Sequence, residues 1–282
     1  MLQRLTDTQW DQYLREGYLR LGKCLTDAEL TTLQERIDAI MLGTAPLDYD
    51  RMLMQLDSIP GQSDRPGPQT NGHKGATLRY RKIQNLERDP LFLAYMQKPL
   101  FRHICDRTYG CDRTYGCDRA YGCDRTHGPQ ASIASFRAMF MNKPAGEGTH
   151  LVWHQDRWTS LDRDPLITIW TALDPATVEN GCVHIIPRLH HTLINPSHGS
   201  GFLTDDQTEV LLSQSEPLPL EVEAGEAVLL HNHLPHSSGI NRSPIARRAF
   251  SVCYMDAATR SSDNQVFPVI FGHGALSPEQ VG

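Results

Sequence analysis

The stretch GEAVLLHNHLPHSSGINRSPIARR, residues 225–248, combines the features that decide the fold of this chain. Gly225 and Glu226 form a turn signal, an apolar run follows them, and three histidines come next. A Ser-Ser-Gly-Ile-Asn loop then leads into a second apolar segment that opens with Arg247. Short strands separated by Gly, Pro and Asn are typical of β-sandwiches and barrels.

The chain from Ser132 onward repeats this pattern of short apolar segments between turn residues. Few helical patterns interrupt the segments, and we therefore predict a mainly β protein. The predicted strands of this part are residues 133–142, 150–156, 166–173, 182–186, 218–222, 226–231 and 247–255.

The N-terminal part carries helical signals instead. Residues 6–9 and 26–29 both fit a capping box, in which a Thr side chain and a Gln or Glu three positions later bond each other's backbone N–H groups. Gly17 and Gly43 then stand where these two helices would end. The remaining predictions are a strand over 18–25, a strand over 77–85 and a helix over 90–103 that is interrupted at Pro99.

Two segments have no helical or strand period. Residues 44–76 contain four prolines, and a loop of this length is often a functional lid, so we predict a lid-like loop. The tail, residues 257–282, is polar from about Arg260 onward, and we expect it to be loosely ordered.

Residues 105–128 are four tandem hexapeptides, CDRTYG, CDRTYG, CDRAYG and CDRTHG. Their cysteines leave two interpretations open, a duplicated exposed loop or a metal-binding array. Zinc sites usually place cysteines two to four residues apart, whereas these are six apart. The spacing therefore favours the exposed loop, since added loop length costs little entropy.

The composition of the 282-residue chain argues against several classes of protein. Hydrophobic residues make up 39% and charged residues 21%, the balance of an ordinary globular chain rather than a disordered one. The formal net charge is −6 and no basic stripe occurs, so we expect no nucleic-acid partner. Nowhere do apolar residues continue for the roughly 20 positions that a membrane-spanning helix needs.

The termini and the cysteines favour a cytoplasmic protein. The opening MLQRLTDTQW lacks the apolar run of a secretory signal, and the closing SPEQVG is neither a peroxisomal nor a prenylation signal. The seven cysteines, four of them inside one repeat, do not resemble a disulfide framework. We therefore expect a reducing compartment.

Candidate metal ligands come from two places in the chain. His154 and Asp156 stand two residues apart, and on a strand such side chains project from the same face. Together with one histidine of 231, 233 or 236 they would form a set of two imidazoles and one carboxylate. That set occupies one face of an octahedral metal and leaves three positions open, as in non-haem Fe(II) oxygenases.

Six motifs occur in one order along residues 77–256. They are RKIQNL (81–86), MFMNKP (139–144), WHQD (153–156), WTAL (170–173), NGCVHIIP (180–187) and HSSGINRSPIAR (236–247). In this order the sequence resembles the phytanoyl-CoA dioxygenase family of Fe(II)- and 2-oxoglutarate-dependent oxygenases. One departure lies at residues 187–190, where Pro-Arg-Leu-His replaces the family's frequent Pro-Gly-Ser-His.

The resemblance implies a double-stranded β-helix, that is, a jelly-roll, cupin-like barrel, with N-terminal α-helices packed outside. Residues 1–282 would form a single dioxygenase domain. Its parts would be a helical N-terminal region with the lid-like loop (1–76), the jelly-roll core with the hexapeptide-repeat loop (77–256) and the tail (257–282).

The resemblance also assigns site residues. Fe(II) would be held by His154, Asp156 and His236, the last preferred over the two other histidines because it directly precedes the Ser-Ser-Gly stretch and stands eleven residues before Arg247. Arg247 would bind the distal carboxylate of 2-oxoglutarate, since a guanidinium gives a carboxylate two parallel hydrogen bonds. Arg248 would point to the opposite face of the strand. The remaining residues assigned to the co-substrate pocket are Ser238, Lys82, Met139 and Trp170.

The implied activity is hydroxylation of an unactivated C–H bond in a small-molecule substrate by O2, with release of succinate and CO2. Asp156 favours a hydroxylase, because halogenases of the family carry a small residue at that position. The alternative is a non-catalytic metal-binding jelly roll, a sensor or scaffold, and a zinc hydrolase is a third interpretation. Arg157, Trp158 and Arg163 hint at an anionic or aromatic substrate, and no oligomeric state follows from these residues.

Overall fold

The computed structural model describes residues 2–58, 66–110 and 132–281. Within these ranges the chain forms five α-helices and thirteen β-strands. The helices are α1 (Asp7–Glu16), α2 (Asp27–Leu42), α3 (Pro90–Met96), α4 (Pro99–Tyr109) and α5 (Asp205–Gln214). The strands are β1 (Tyr18–Lys23), β2 (Leu53–Leu56), β3 (Thr70–Asn71), β4 (Tyr80–Gln84), β5 (Ile133–Lys143), β6 (Leu151–His154), β7 (Ile167–Ala172), β8 (Val183–Ile185), β9 (Leu218–Leu220), β10 (Glu226–His231), β11 (His236–Ser238), β12 (Arg247–Asp256) and β13 (Val269–Phe271).

The strands form two antiparallel sheets, so the prediction of a mainly β protein is confirmed. The larger sheet has nine strands in the order β1-β10-β7-β12-β5-β4-β2-β3, with β13 pairing with β5. The smaller sheet has four strands in the order β6-β11-β8-β9. Apolar side chains of both sheets pack together, among them Trp170 and Ala249 from the larger sheet and Ile185 and Leu220 from the smaller one.

The two faces of the larger sheet have different neighbours because side chains alternate along each strand. Phe250 of β12 points outward, where its ring lies 4.8 Å from that of Phe92 on α3. Tyr254 faces the same way, and its hydroxyl donates to the carbonyl of Met96 at 2.8 Å. Ala249, one position from Phe250, packs instead in the cluster between the sheets. The helices therefore cover the outer face and leave the inner face to the side chains between the sheets.

The helix boundaries follow the capping signals of the sequence. Thr6 and Thr26 both close capping boxes, and Gly17 and Gly43 end α1 and α2 with φ values of 77° and 75°. Only glycine adopts such left-handed angles at little cost. The predicted interruption at Pro99 is also confirmed, since it separates α3 from α4.

Four strands were not predicted. β2 and β3 lie within the predicted loop 44–76, where β2 pairs with both β3 and β4, whereas residues 59–65 of that loop lie outside the described ranges. β13 lies in the tail that the sequence suggested to be loosely ordered, and it pairs with β5. β11 has only three residues. Such short strands are stabilised by pairing with strands elsewhere in the chain rather than by a local pattern.

The first hexapeptide differs from the loop expected for residues 105–128. Its residues through Tyr109 belong to α4, and Cys105 is fully buried there. Cys111, Cys117 and Cys123, the other cysteines of the repeat, lie outside the described residues. In the part of the chain that the structure describes, no helix is both long and apolar enough to cross a bilayer.

The Pro-Arg-Leu-His sequence at residues 187–190, which differs from the frequent family motif, makes a specific contact in the structure. Arg188 adopts a φ of 70°, in the left-handed region that favours glycine. Its guanidinium binds the carboxylate of Glu16 with Nε–Oε2 and Nη2–Oε1 distances of 2.8 and 3.1 Å. The Arg188 side chain therefore attaches the loop after β8 to the end of α1, an attachment that glycine could not make.

The packing of the helices on the outer face can be tested at Phe250. We expect Phe250→Ala to lower the free energy of unfolding by about 3–5 kcal/mol, because the fully buried ring would leave a cavity. Urea denaturation measures this change. In the control Val210→Ala, whose side chain is exposed on α5, the free energy should stay within about 0.5 kcal/mol. Equal, small effects of both substitutions would contradict the packing described above.

Candidate metal centre and adjoining cationic pocket

Three potential metal ligands converge between two paired strands of the smaller sheet. His154 is the last residue of β6, His236 is the first of β11, and the two face each other in the antiparallel register with ring centroids 4.0 Å apart. Asp156 lies two residues beyond β6. One ligand atom from each of the three residues lies within 4.8 Å of the others. The Nε2 atoms of both histidines are 3.8 Å from carboxylate oxygens of Asp156.

Backbone carbonyls fix the orientation of both imidazoles. Nδ1 of His154 lies 2.9 Å from the carbonyl oxygen of Val152, and Nδ1 of His236 lies 2.9 Å from that of Leu234. A proton on each Nδ1 would donate to these carbonyls and leave the lone pair of Nε2 free, the usual arrangement of metal-binding histidines. Burial, and next the neighbouring His236, lower the pKa of His154 to about 3, so the ring is neutral at pH 7.

Asp156 is positioned by the residue before it. The sequence predicted one strand over 150–156, but β6 ends at His154 and Asp156 follows it. The fully buried Gln155 points the other way, and its Nε2 donates to the carbonyls of Thr192 and His233. The N–H of Asp156 donates to the carbonyl of Asn232 at 2.7 Å. Anchored at both residues, the chain brings the carboxylate back beside His154.

The two other histidines considered for the third position have different surroundings. Nε2 of His233 lies 3.3 Å from a carboxylate oxygen of Asp164. His231 is buried at the end of β10, with its ring 4.9 Å from that of His190. Among the residues that the structure describes, only His154, Asp156 and His236 form a group of three such ligands.

A cationic pocket adjoins this centre, where β12 begins. It lies between the sheets, and Ser238 of β11 is on its wall. Several basic side chains share it, although the net charge of the chain is negative. The residues that line the pocket are Arg81, Lys82, Met141, Asn142, Lys143, Thr149, Leu151, Ser238 and Arg247.

Arg247 is buried in this pocket, and none of the described residues forms a hydrogen bond or ion pair with its guanidinium. The residue is 2% exposed, and its Nε and Nη1 atoms form no hydrogen bond with any described residue. Its guanidinium carbon lies 5.6 Å from the centre of the Trp170 ring. Burial lowers the pKa of Arg247 to about 10, so the group is still charged at neutral pH. A buried, unpaired charge is costly, and the pocket is therefore suited to an anion.

The adjacent Arg248 points to the other face of the strand, as predicted from the sequence. Its Nε and Nη2 atoms donate to the carboxylate of Asp174, both at 2.8 Å, and Nη1 donates to Asp38 on α2 at 2.5 Å. These ion pairs occupy its donors. Of the two neighbouring arginines, only Arg247 faces the pocket.

Two lysines share the pocket with Arg247. Burial, and next the neighbouring Arg81, lower the pKa of Lys82 to about 8. Burial, and next the charge of Arg247, lower the pKa of Lys143 to about 7. Nζ of Lys143 also donates to the carbonyl of Thr149 at 2.8 Å. A negatively charged ligand would therefore stabilise the charged form of both lysines.

The remaining predicted pocket residues fall into two groups. Ser238 and Lys82 line the pocket, and Trp170 contacts Arg247. Met139 is paired with Ser251, whereas Met141, two residues on, lines the pocket. Sequence reasoning missed Met141 and Lys143, because their positions depend on the registers Lys82↔Met141 and Arg247↔Lys143. Both residues belong to the MFMNKP motif, residues 139–144, which was the sequence signal that could have located them.

Two solved structures share this fold. The Fe-bound EctD of S. alaskensis is 17% identical and superposes with a TM-score of 0.65, over 91% of this chain and 79% of that one. The non-heme alpha-ketoglutarate-dependent carbocyclase SnoK from nogalamycin biosynthesis is 18% identical, with a TM-score of 0.62, over 91% of this chain and 86% of that one. At such low identity the similarity shows the fold alone.

Sequence comparison gives the family. A zebrafish (Danio rerio) phytanoyl-CoA dioxygenase domain-containing protein 1 is 30% identical over 90% of this chain and 91% of its own length. Phytanoyl-CoA dioxygenase 1 of rice (Oryza sativa subsp. japonica) is 35% identical over 44% of this chain, and the match spans 45% of the rice protein. The family model for phytanoyl-CoA dioxygenase (PhyH) matches residues 13–249. The chain therefore belongs to the phytanoyl-CoA dioxygenase family.

Proposed function

We propose that this protein is an Fe(II)- and 2-oxoglutarate-dependent dioxygenase that hydroxylates an unactivated C–H bond of a small-molecule substrate. Succinate and CO2 would be the products of the co-substrate. The observation that carries this proposal is a set of three potential metal ligands beside a buried guanidinium that has no hydrogen-bonding partner among the described residues. We also propose that the two facing sheets are the halves of a double-stranded β-helix, in one domain over residues 1–282.

The ligand set fits ferrous iron. Two neutral imidazoles and one carboxylate bind one face of an octahedral ion and leave three positions for other ligands. His154, Asp156 and His236 would hold the iron, and the carbonyls of Val152 and Leu234 would keep both rings in place. Bound iron supplies the activation of O2, and the protein supplies binding, orientation and exclusion of water.

The pocket fits 2-oxoglutarate, which carries a carboxylate at each end. Arg247 would bind the distal carboxylate through two parallel hydrogen bonds, and the Trp170 ring would hold the guanidinium in place. Ser238, Lys82 and Lys143 lie on the same wall and would add donors and positive charge. Met139 would be a further neighbour of the co-substrate.

The occupied carboxylate position favours hydroxylation over halogenation, because Asp156 fills the place that a halide would need. A purely metal-binding sensor or scaffold would have no use for a second, anion-binding pocket. The unpartnered Arg247 therefore argues for the enzyme.

The proposal predicts succinate formation that depends on Fe(II), 2-oxoglutarate and O2. We expect Asp156→Ala to weaken Fe(II) binding by roughly a hundredfold and to abolish this activity, because one of three protein ligands is lost. Anaerobic metal titration and succinate assays measure both effects. In the control Glu209→Ala the lost carboxylate is exposed on α5, and both properties should be unchanged. Full activity of Asp156→Ala would refute the assigned ligand set.

The two neighbouring arginines provide a second test. Arg247→Ala should weaken 2-oxoglutarate binding by roughly tenfold to a hundredfold while Fe(II) binding persists, because a charge-assisted pair is lost. Arg248→Ala should instead lower the free energy of unfolding by about 1–3 kcal/mol, since Asp174 and Asp38 lose their partner. Calorimetric titration and urea denaturation separate these outcomes. The opposite pattern would move the co-substrate site to the other face of the strand.

The affinity for 2-oxoglutarate should fall as the pH rises. 2-Oxoglutarate is a dianion and binds better when the two lysines are positively charged. Lys143 loses its proton near pH 7 and Lys82 near pH 8. Both carboxylates are ionised throughout this range, so each deprotonation removes an attraction and weakens binding, by at most about tenfold per pH unit for each lysine. Calorimetric titration between about pH 6 and pH 9 measures the slope.

Lys143→Met should make that slope shallower, while Lys23→Met, at an exposed lysine paired with Asp27, should not change it. Parallel titrations with Fe(II) alone identify any pH effect on the metal ligands. An affinity that is constant over the whole range would show that the two lysines do not contact the co-substrate.

A further inference from the structure

A third basic side chain, Arg137, lies on the same face of β5 as Lys143 but far from it along the strand. Lys143 pairs with Arg247, whereas Arg137 pairs with Cys253. Arg137 and Lys143 are six positions apart, and at about 3.3 Å per residue their Cα atoms lie roughly 20 Å apart. A five-carbon diacid bound by Arg247 is much shorter than this distance. Arg137 therefore does not belong to the proposed co-substrate site.

Arg137 borders the metal centre on the side away from Arg247. Its strand neighbour Cys253 accepts a hydrogen bond from the amide of Asn232 at 3.3 Å, and the backbone carbonyl of Asn232 accepts one from Asp156. The guanidinium carbon of Arg137 also lies 4.9 Å from the centre of the Trp158 ring, two residues beyond Asp156. The metal centre thus lies between two separate basic groups.

A β-bulge shapes the surroundings of Arg137. Cys253 pairs with Arg137 but the next residue, Tyr254, pairs with Ser135, so Phe136 is left without a partner in the ladder. A bulge redirects side chains, and bulges are frequent beside active sites. Here the Phe136 ring lies 4.5 Å from that of Trp158.

The rings hold the guanidinium without using its hydrogen-bond donors. The guanidinium carbon lies 5.0 Å from the Phe136 ring centre and 4.9 Å from that of Trp158, within the range of cation–π attraction. Such contacts restrict the side chain and leave its planar edge available for an oxyanion. Phe267, 5.7 Å from Phe136, extends the apolar wall.

The acidic groups at this end of the molecule pair with other residues. Asp164 lies 3.8 Å from Arg157 and 3.3 Å from His233, and Asp256 lies 3.2 Å from Arg163. Within the described ranges Arg137 has no ion pair and its guanidinium has no hydrogen bond. This half-buried charge therefore lacks a counter-ion from the described protein, next to the centre where a substrate would have to bind.

Assuming the iron and co-substrate sites proposed above, we propose that Arg137, Phe136 and Trp158 bind the substrate through an anionic group. The substrate class is a small molecule with a carboxylate or a phosphate on an apolar or aromatic skeleton. The guanidinium binds the oxyanion, the rings pack on the adjoining skeleton, and a C–H bond beyond it faces the metal.

Matched probes test this site in the protein loaded anaerobically with Fe(II) and 2-oxoglutarate. The anionic probes are 3-phenylpropanoate and phenyl phosphate, and the neutral probe is 3-phenylpropanamide. Calorimetric titration should show that at least one anion binds with a Kd of about 1 mM or lower, and at least about tenfold more tightly than the amide. In protein loaded with paramagnetic Mn(II), faster relaxation of the bound probe's protons should place it beside the metal.

Variants then assign the preference to Arg137. Arg137→Gln should abolish the preference for the anion, and Arg137→Lys, which keeps the charge but loses the planar fork, should keep it in part. The matched control Arg260→Gln, at an exposed arginine of the same end, should keep it in full. Circular dichroism verifies that each variant is folded, and the lysine variant stands in if the glutamine variant is not.

Three results would overturn this inference: anions that bind no better than the amide, anions that do not bind at all, or a preference that persists in Arg137→Gln. The proposed function is judged separately. If the unmodified protein forms no succinate or does not bind 2-oxoglutarate, the proposed enzymatic activity is refuted. If it forms succinate but shows no preference for anions, only the proposed substrate class is refuted.

Discussion

The antiparallel pairing of β6 with β11 is the constraint on which the site depends. It sets His154 opposite His236 although 82 residues separate them in the chain. The carbonyl of Val152 on β6 and that of Leu234, two residues before β11, then orient both rings. The third ligand needs a departure from regular structure, and the buried amide of Gln155 fixes that departure. Regular pairing thus brings the two imidazoles together, and one irregular residue adds the carboxylate.

The division of the larger sheet into two faces explains where its charges lie. Helices α2 and α3 bury the outer face, where Arg248 is neutralised by protein carboxylates. On the inner face no carboxylate in the described part of the chain pairs with Arg247, and burial lowers the pKa values of Lys82 and Lys143. Burying these like charges close together lowers the stability of the ligand-free protein. A bound dianion would offset that cost, so the ligand and the fold would stabilise each other.

Local patterns were sufficient for much of this fold. The capping boxes of α1 and α2 follow from a Thr with a Gln or Glu three positions later, the long strands of residues 132–256 follow from periodicity, and the six ordered motifs indicate the family. Sequence reasoning did not find β2, β3, β11 or β13, because strands of two to four residues are stabilised by distant partners. It also missed Lys143 and Met141, because the register between strands determines which residues lie beside them. Arg137 remained unnoticed for the same reason, since a bulge in its own strand groups it with Phe136 and Trp158.

The opposite environments of Arg247 and Arg248 have a consequence for how this chain can diverge. Successive strand residues alternate between faces, so a shift of one residue would exchange the two guanidiniums. The pairing of β12 with β5 and β7 sets that phase. A slip of β12 by one residue against these strands would direct Arg248 inward and leave Asp174 unneutralised, even though every residue type was retained. Homologues that keep the inner arginine should therefore conserve the alternation of side chains along this strand more strictly than the loop before it.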